Sequence, residues 1–290
     1  MMKVKFTGYL PAAWLLLTTA LTAQAQQTVS NPLVTDTLPP VAAQTQSEEE
    51  EFIKPARPTV ANPAEVQKAG VLQLEYGYDG NFRAAEFRAQ QGASLALRFA
   101  ATSRLLFALD LETVKSETDE TQARMTGVGD TRLGFQAVAL KDTERYPALA
   151  FAYYVKLPSA SESKGLGTGR VDHKFLTLVS KKFGEVEMDL NGAVLIVGRE
   201  EASGWVTGGQ GALAFSGEFE NGFGLEGEIS GQTKDDVQPK GLFALGALTY
   251  KVNRRLRFDG GLRFGLNPDA PRVGVFAGLT VGVADFYKRR

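Results

Sequence analysis

The 290-residue chain contains one histidine and no cysteine, so few catalytic or metal-binding constellations are open to it. His173 follows Asp172, with Ser159, Ser161 and Ser163 a short way ahead. A hydroxyl nucleophile and an imidazole base need only hydrogen-bond contact to act together. Nothing in this spacing fixes that contact, and His173 is expected at the rim of a strand, facing water. The run Lys164-Gly165-Leu166-Gly167-Thr168-Gly169-Arg170 has the look of a phosphate-cradling loop. It leads into a strand, however, and offers no helix N-terminus to an anion, so it reads as a flexible loop.

The missing cysteines exclude a disulfide scaffold, a thiol enzyme and a thiolate metal site. With Lys+Arg 32 against Asp+Glu 33, a general polycation that binds nucleic acid is excluded as well. No catalytic residue, cofactor or metal is expected. Binding, transport or a structural role remains.

The remaining chemistry lies in rows of charge that alternate with apolar residues. Glu187, Asp189 and Asn191 alternate with Met188, Leu190 and Val194, and Glu226 and Glu228 with Leu225 and Ile229. Likewise Arg257, Asp259 and Arg263 oppose Phe258 and Leu262, while Glu75, Arg98, Asp110, Glu112, Arg132, Lys156 and Glu218 fall on the polar side of their own stretches. A period of two puts successive side chains on opposite faces of a strand. Arg98, Asp110, Glu112, Arg132, Lys156, Glu187, Asp189, Glu226, Glu228, Arg257, Asp259 and Arg263 are therefore expected to line a lumen and to set charge selectivity.

Those rows require strands, and the sequence after Gly70 supplies them almost without interruption. Twelve are predicted, near 71–78, 93–100, 105–114, 131–140, 147–157, 171–182, 186–197, 208–219, 223–232, 241–251, 256–265 and 272–284. Short connections such as 183–185 and 220–222 alternate with longer ones such as 115–130 and 158–172. An even number of strands of about ten residues, with short turns at one end and long loops at the other, is the pattern of an outer-membrane barrel. The predicted fold is all-β: a transmembrane antiparallel up-and-down β-barrel, with both termini at the short-turn end, in the periplasm. A soluble sandwich with the charges outside is the competing arrangement.

The first seventy residues differ in kind: seven of the 12 prolines lie there, and 29 of the 31 glycines lie beyond. Lys3 and Lys5, an apolar run through Leu17 and the small-residue site Ala23-Gln24-Ala25 predict a signal peptide over residues 1–25. Residues 26–70 carry an acidic run, Glu48 to Glu51, and no apolar period. They are expected to be a disordered periplasmic tether before a barrel over 71–290; a plug folding into a pore is the alternative.

The chain resembles the outer-membrane, transporter-like barrels of the meta-pathway of phenol degradation family. The residues that carry the resemblance are Gly127-Val128-Gly129-Asp130-Thr131-Arg132-Leu133-Gly134, Pro147 to Pro158 with Gly165 to Arg170, and Phe264-Gly265-Leu266-Asn267-Pro268 with Gly274 to Gly282. The resemblance implies an outer-membrane channel for small, aromatic or hydrophobic compounds. The expected function is passive passage of small solutes by a monomer surrounded by outer-membrane lipid. The alternative is a structural or surface-binding barrel with an occluded lumen.

Overall fold

A computed structural model describes residues 51–84, 87–119, 121–198, 203–235 and 239–287. The predicted signal peptide, Glu48 to Glu50 and the last three residues lie outside this set.

Thirteen strands are present among the described residues: β1 (Val71–Phe82), β2 (Ala89–Thr102), β3 (Leu105–Thr118), β4 (Arg124–Gly127), β5 (Thr131–Leu140), β6 (Ala148–Leu157), β7 (Asp172–Phe183), β8 (Val186–Gly198), β9 (Trp205–Glu218), β10 (Phe223–Gln232), β11 (Gly241–Asn253), β12 (Leu256–Gly265) and β13 (Val273–Asp285). Each pairs antiparallel with its neighbour, and β1 pairs with both β2 and β13. The sheet therefore closes into a barrel of twelve strands. The thirteenth, β4, pairs with β3 alone, over Lys115 to Thr118, as a flap beyond the wall.

Closure leaves no unpaired edge, which is the condition for backbone to sit in lipid. The side chains sort as the period of two requires. Along β11, Phe243, Leu245, Ala247 and Thr249 are buried inside, while Leu242, Leu248 and Tyr250 point out, Leu248 being 60% exposed. The outer surface carries Phe107, Phe135, Phe151, Phe175, Phe215 and Phe264, whereas Glu75 and Arg98, 2% and 3% exposed, face inward. Charges inside and large apolar groups outside are the inverse of a water-soluble globule, so the apolar belt faces lipid. No helix among the described residues is long and apolar enough to cross a membrane. The strands are the crossing elements.

Residues 103–104, 141–147, 184–185, 219–222 and 254–255 form the connections at one end, the turn end, where β1 also starts and β13 stops. Gly184 and Gly222 take positive φ in two of these turns, a conformation open to glycine at little cost. At the opposite, loop end, β1 and β2 continue into the stretch expected as a loop, so residues 79–82 and 89–92 are strand.

The expected tether is corrected for its described part. Residues 51–70 form no strand or helix, yet Phe52, Ile53, Lys54, Ala61, Ala64 and Gln67 are buried. They lie inside the barrel. Lacking an apolar period of its own, the segment is ordered by the polar wall around it, a source of order that its own pattern does not display.

Candidate functional site in the barrel lumen

The site begins with the inward positions of the strands. At the loop end four charged residues share one register row across the wall: Asp110 on β3 faces Arg132 on β5, Arg132 faces Lys156 on β6, and Lys156 faces Asp172 on β7. The row has two cations flanked by two carboxylates, and the outer pairs close at 2.9 Å between Arg132 and Asp110 and 2.5 Å between Lys156 and Asp172. Asp130 approaches Lys156 at 3.4 Å, and Glu112 accepts the Asp130 backbone N–H. On the other side, Arg263 reaches Asp79 at 3.1 Å and lies over the Phe276 ring.

Closer to the turn end the wall becomes acidic. Glu187 and Glu226 flank Ser216 in register, and Asp189 and Glu228 flank Ala214. Arg257 pairs with Glu226 at 2.6 Å, and Ser180 donates to Asp189. Arg98 lies 3.6 Å from Glu75. Arg132 with Asp110 and Lys156 with Asp172 thus link neighbouring strands, Arg257 with Glu226 and Arg263 with Asp79 reach across an intervening strand, and Glu187, Glu228 and Asp259 are held by the segment inside.

That segment, residues 51–70, follows the alternative stated for it, a plug inside the barrel, and not the expected tether. It starts at the turn end, where the Lys68 N–H donates to the Glu51 carbonyl. It then climbs along β1 and crosses the lumen. Gln73 grips Lys54 twice, accepting its N–H at 2.9 Å and donating to its carbonyl at 3.0 Å, and Glu75 accepts the Ala56 N–H. Arg57 forks onto Asp259 with contacts of 3.0 and 3.3 Å. Its guanidinium lies across Gly77 and Gly278, which are register partners, and a Cβ on either would overlap it. Only glycine on both strands leaves room for this side chain.

On the far wall, one oxygen of Glu228 accepts both the Val60 and Ala61 N–H groups at 2.7 Å. Asn191 accepts the Asn62 N–H and donates to its carbonyl. On the return, Ser180 accepts the Ala64 N–H, and Gln136 donates to the Pro63 and Ala64 carbonyls. Lys68 ends the path on Asp285 at 2.7 Å. The wall therefore recognises main chain with side chains, which satisfies buried peptide groups where no sheet partner exists.

Apolar contacts in the insert are small beyond its start, where Phe52 and Ile53 pack on Val71. Ala61 packs on Ala212 and Ala214, and Ala64 on Ala148, Ala150, Ala152 and Leu178. These inward alanines were the available sequence signal: small residues cannot fill a barrel wider than eight strands, so something else must. Burial alone would lower the pKa of Lys54, but the carboxylates of Glu187 and Glu51 outweigh it and raise the pKa. The Lys54 cation, 2.8 Å from Glu187, is thereby fixed in the lumen.

The residues singled out for other chemistry lie elsewhere. His173 sits among outward-facing aromatic side chains, with its Nδ1 2.8 Å from the Tyr153 hydroxyl and its ring beside that of Tyr153. Ser159 bonds with Thr131, and Ser161 with Ser163, so these hydroxyls are engaged away from the imidazole. The glycine-rich loop folds over the 127–130 segment. Leu166 is fully buried against Gly127, the Ala160 N–H donates to Asp130, and Lys156 reaches Thr168. Two of the stretches that carried the family resemblance are thus one structural unit, a cap at the loop end.

Solved structures of similar fold include the COG4313 outer membrane channel from Pseudomonas putida F1, with a TM-score of 0.58 and 15% identity, covering 75% of this chain and 97% of that one. The NanC porin follows at 0.47 and 7%, covering 73% and 98%. The outer membrane phospholipase A from Escherichia coli gives 0.42 and 11%, covering 74% and 97%. No curated relative matches the chain. Closed wall, apolar outer belt and ionic interior make this an outer-membrane β-barrel, with the turn end in the periplasm and the loops outside. The family model described as "Putative MetA-pathway of phenol degradation" matches residues 56–282, including most of the insert, and the chain belongs to that family.

Proposed function

We propose that the protein is a narrow channel through which small solutes cross the outer membrane passively, acting as a monomer and without catalysis. The observation that carries this reading is the ionic lining of a closed barrel: charged side chains cross-link strands of the wall, adjacent ones through Arg132–Asp110 and Lys156–Asp172 and next-but-one strands through Arg257–Glu226 and Arg263–Asp79. Such a lining hydrates a path and discriminates by charge. Arg98, Arg132, Arg257 and Arg263, with Asp110, Glu112, Lys156, Glu187, Asp189, Glu226, Glu228 and Asp259, are its selectivity residues. The family description favours aromatic or hydrophobic compounds among the solutes. The apolar strip of Leu245, Ala247 and Phe276 beside Arg263 suits such a compound better than the acidic wall does. The engagement of His173 with Tyr153 speaks against a serine–histidine hydrolase.

The insert and the cap favour a second reading, an occluded barrel whose loops bind at the cell surface. Planar-bilayer recording separates the two. A channel gives discrete conductance steps, and their ion selectivity changes when Arg132 and Arg263 are neutralised. An absence of steps, or unchanged selectivity, favours the occluded barrel.

A further inference from the structure

We propose that residues 51–70 form a displaceable insert that neutralises an acidic vestibule, so that the selectivity of the channel depends on whether the insert is seated. This rests on the channel reading above.

The charge distribution is the first support. Glu187 and Asp189 on β8, Glu226 and Glu228 on β10 and Asp259 on β12 form one acidic stretch of wall, in which Arg257 is engaged by Glu226. The insert brings much of the countercharge, placing Lys54 on Glu187 and Arg57 on Asp259 and, nearer the turn end, Lys68 on Asp285. Glu228 is held by two insert N–H groups through one oxygen, while its other oxygen is buried without a partner. Glu187, Asp259, Asp285 and Glu228 each lose an insert partner if the segment leaves.

The mode of attachment is the second support. The insert belongs to no strand, so its departure breaks no hydrogen bond of the barrel ladder. On the far wall its contacts centre on two alanines, Ala61 against Ala212 and Ala214 and Ala64 against Ala148, Ala150, Ala152 and Leu178, with Val60 and Val66 beside them. At the turn end Phe52 and Ile53 pack on Val71 and anchor the start of the segment; beyond them the attachment is by ion pairs and hydrogen bonds, each of which contributes only about 1 kcal/mol net once water can replace it. Once uncovered, carboxylates in a low-dielectric wall concentrate cations. The withdrawn state therefore passes small cationic solutes in preference to anions.

A disulfide tests this directly, because the natural chain has no cysteine to interfere. Ala61→Cys with Ala214→Cys joins insert to wall at residues that already pack together. In planar bilayers, reduced protein should show additional, larger steps with a cation-to-anion permeability ratio raised by roughly tenfold, and oxidation should remove them reversibly. The double variant Lys54→Gln/Arg57→Gln, with both Ala61 and Ala214 retained, should populate the larger steps without a reductant. Identical steps and reversal potentials in locked and reduced protein overturn the proposal. So do larger steps without cation preference. Absence of any conductance, in wild type and variants that shift on heating as folded barrels do, overturns the channel reading and this inference with it.

Discussion

The two halves of the lumen are narrowed by opposite means. At the loop end the wall satisfies itself: Asp110, Arg132, Lys156 and Asp172 lie in one register row and neutralise each other across strands. The loops then fold over that row, with Leu166 as their buried anchor. At the turn end the wall is incomplete. It offers carboxylates, amides, alanines and two glycines, and a segment from outside the sheet supplies the cations, N–H groups and bulk that fill it. An integral closure can change only if strands or loops rearrange, whereas an insert can leave as a unit. The two halves should therefore respond differently to single substitutions.

The largest effect is expected at Gly278. Any side chain there occupies the place of the Arg57 guanidinium, so Gly278→Leu should expel Arg57 from Asp259 and unseat the insert while leaving the β12–β13 ladder intact. The readout is conductance, which should rise several-fold over wild type. Wild-type conductance with Arg57 still protected would show that the glycine pair does not control seating.

In the loop-end half the corresponding lesion is Leu166→Ala. Removing a fully buried leucine costs about 3 kcal/mol when the site cannot collapse. Here the loss should stay within the cap. Proteolysis at Lys164 or Arg170 should accelerate while the barrel keeps its heat-modified mobility. Cleavage unchanged from wild type would mean that the cap is held by the polar contacts of Asp130 and Ser159 instead.

A smaller change is expected from Asp259→Asn, which removes the charge under Arg57 but keeps the shape. A hydrogen bond to a charged group contributes about 2 kcal/mol, so the seated state should weaken by roughly thirtyfold. Maleimide labelling of an introduced Ala61→Cys, slow while that position is buried against Ala212 and Ala214, should accelerate by that factor. Asp110→Asn in the loop-end row should leave the same labelling rate untouched. Equal effects from both variants would erase the distinction between the halves.

These contrasts also explain what could be read beforehand. The wall was legible, face by face, because lipid on one side and charge on the other impose a strict period of two. Beyond the lipid that rule lapses. The strand character of 79–82, 89–92 and 124–127 carried no apolar alternation and was expected as loop. The insert was hidden for a different reason. It is held largely through its own main chain, so its side chains repeat nothing, and the information sits in the receiving residues: Gly77, Gly278 and the inward alanines of β6 and β9. The partner of Asp259 was likewise invisible, because 202 residues separate it from Arg57. The glycine motifs at 127–134 and 165–170 stood out as a resemblance, and the packing of Leu166 on Gly127 supplies their physical reason.

The smallest effect should fall outside both halves. Lys251 pairs with Glu218 at 2.9 Å on the turn-end surface, but the two side chains are 42% and 40% exposed. An ion pair in that setting gains little over its hydrated separated groups, about 0.5 kcal/mol or less, and salt screens it further. Lys251→Gln should therefore leave the unfolding midpoint and the Ala61→Cys labelling rate at wild-type values, at low salt as at high. A labelling rate that rises with this substitution would mean that the charge balance of the turn-end rim helps to hold the insert. The seat would then extend past the lumen wall, and the boundary between the removable closure and the surface around it would have to move outward.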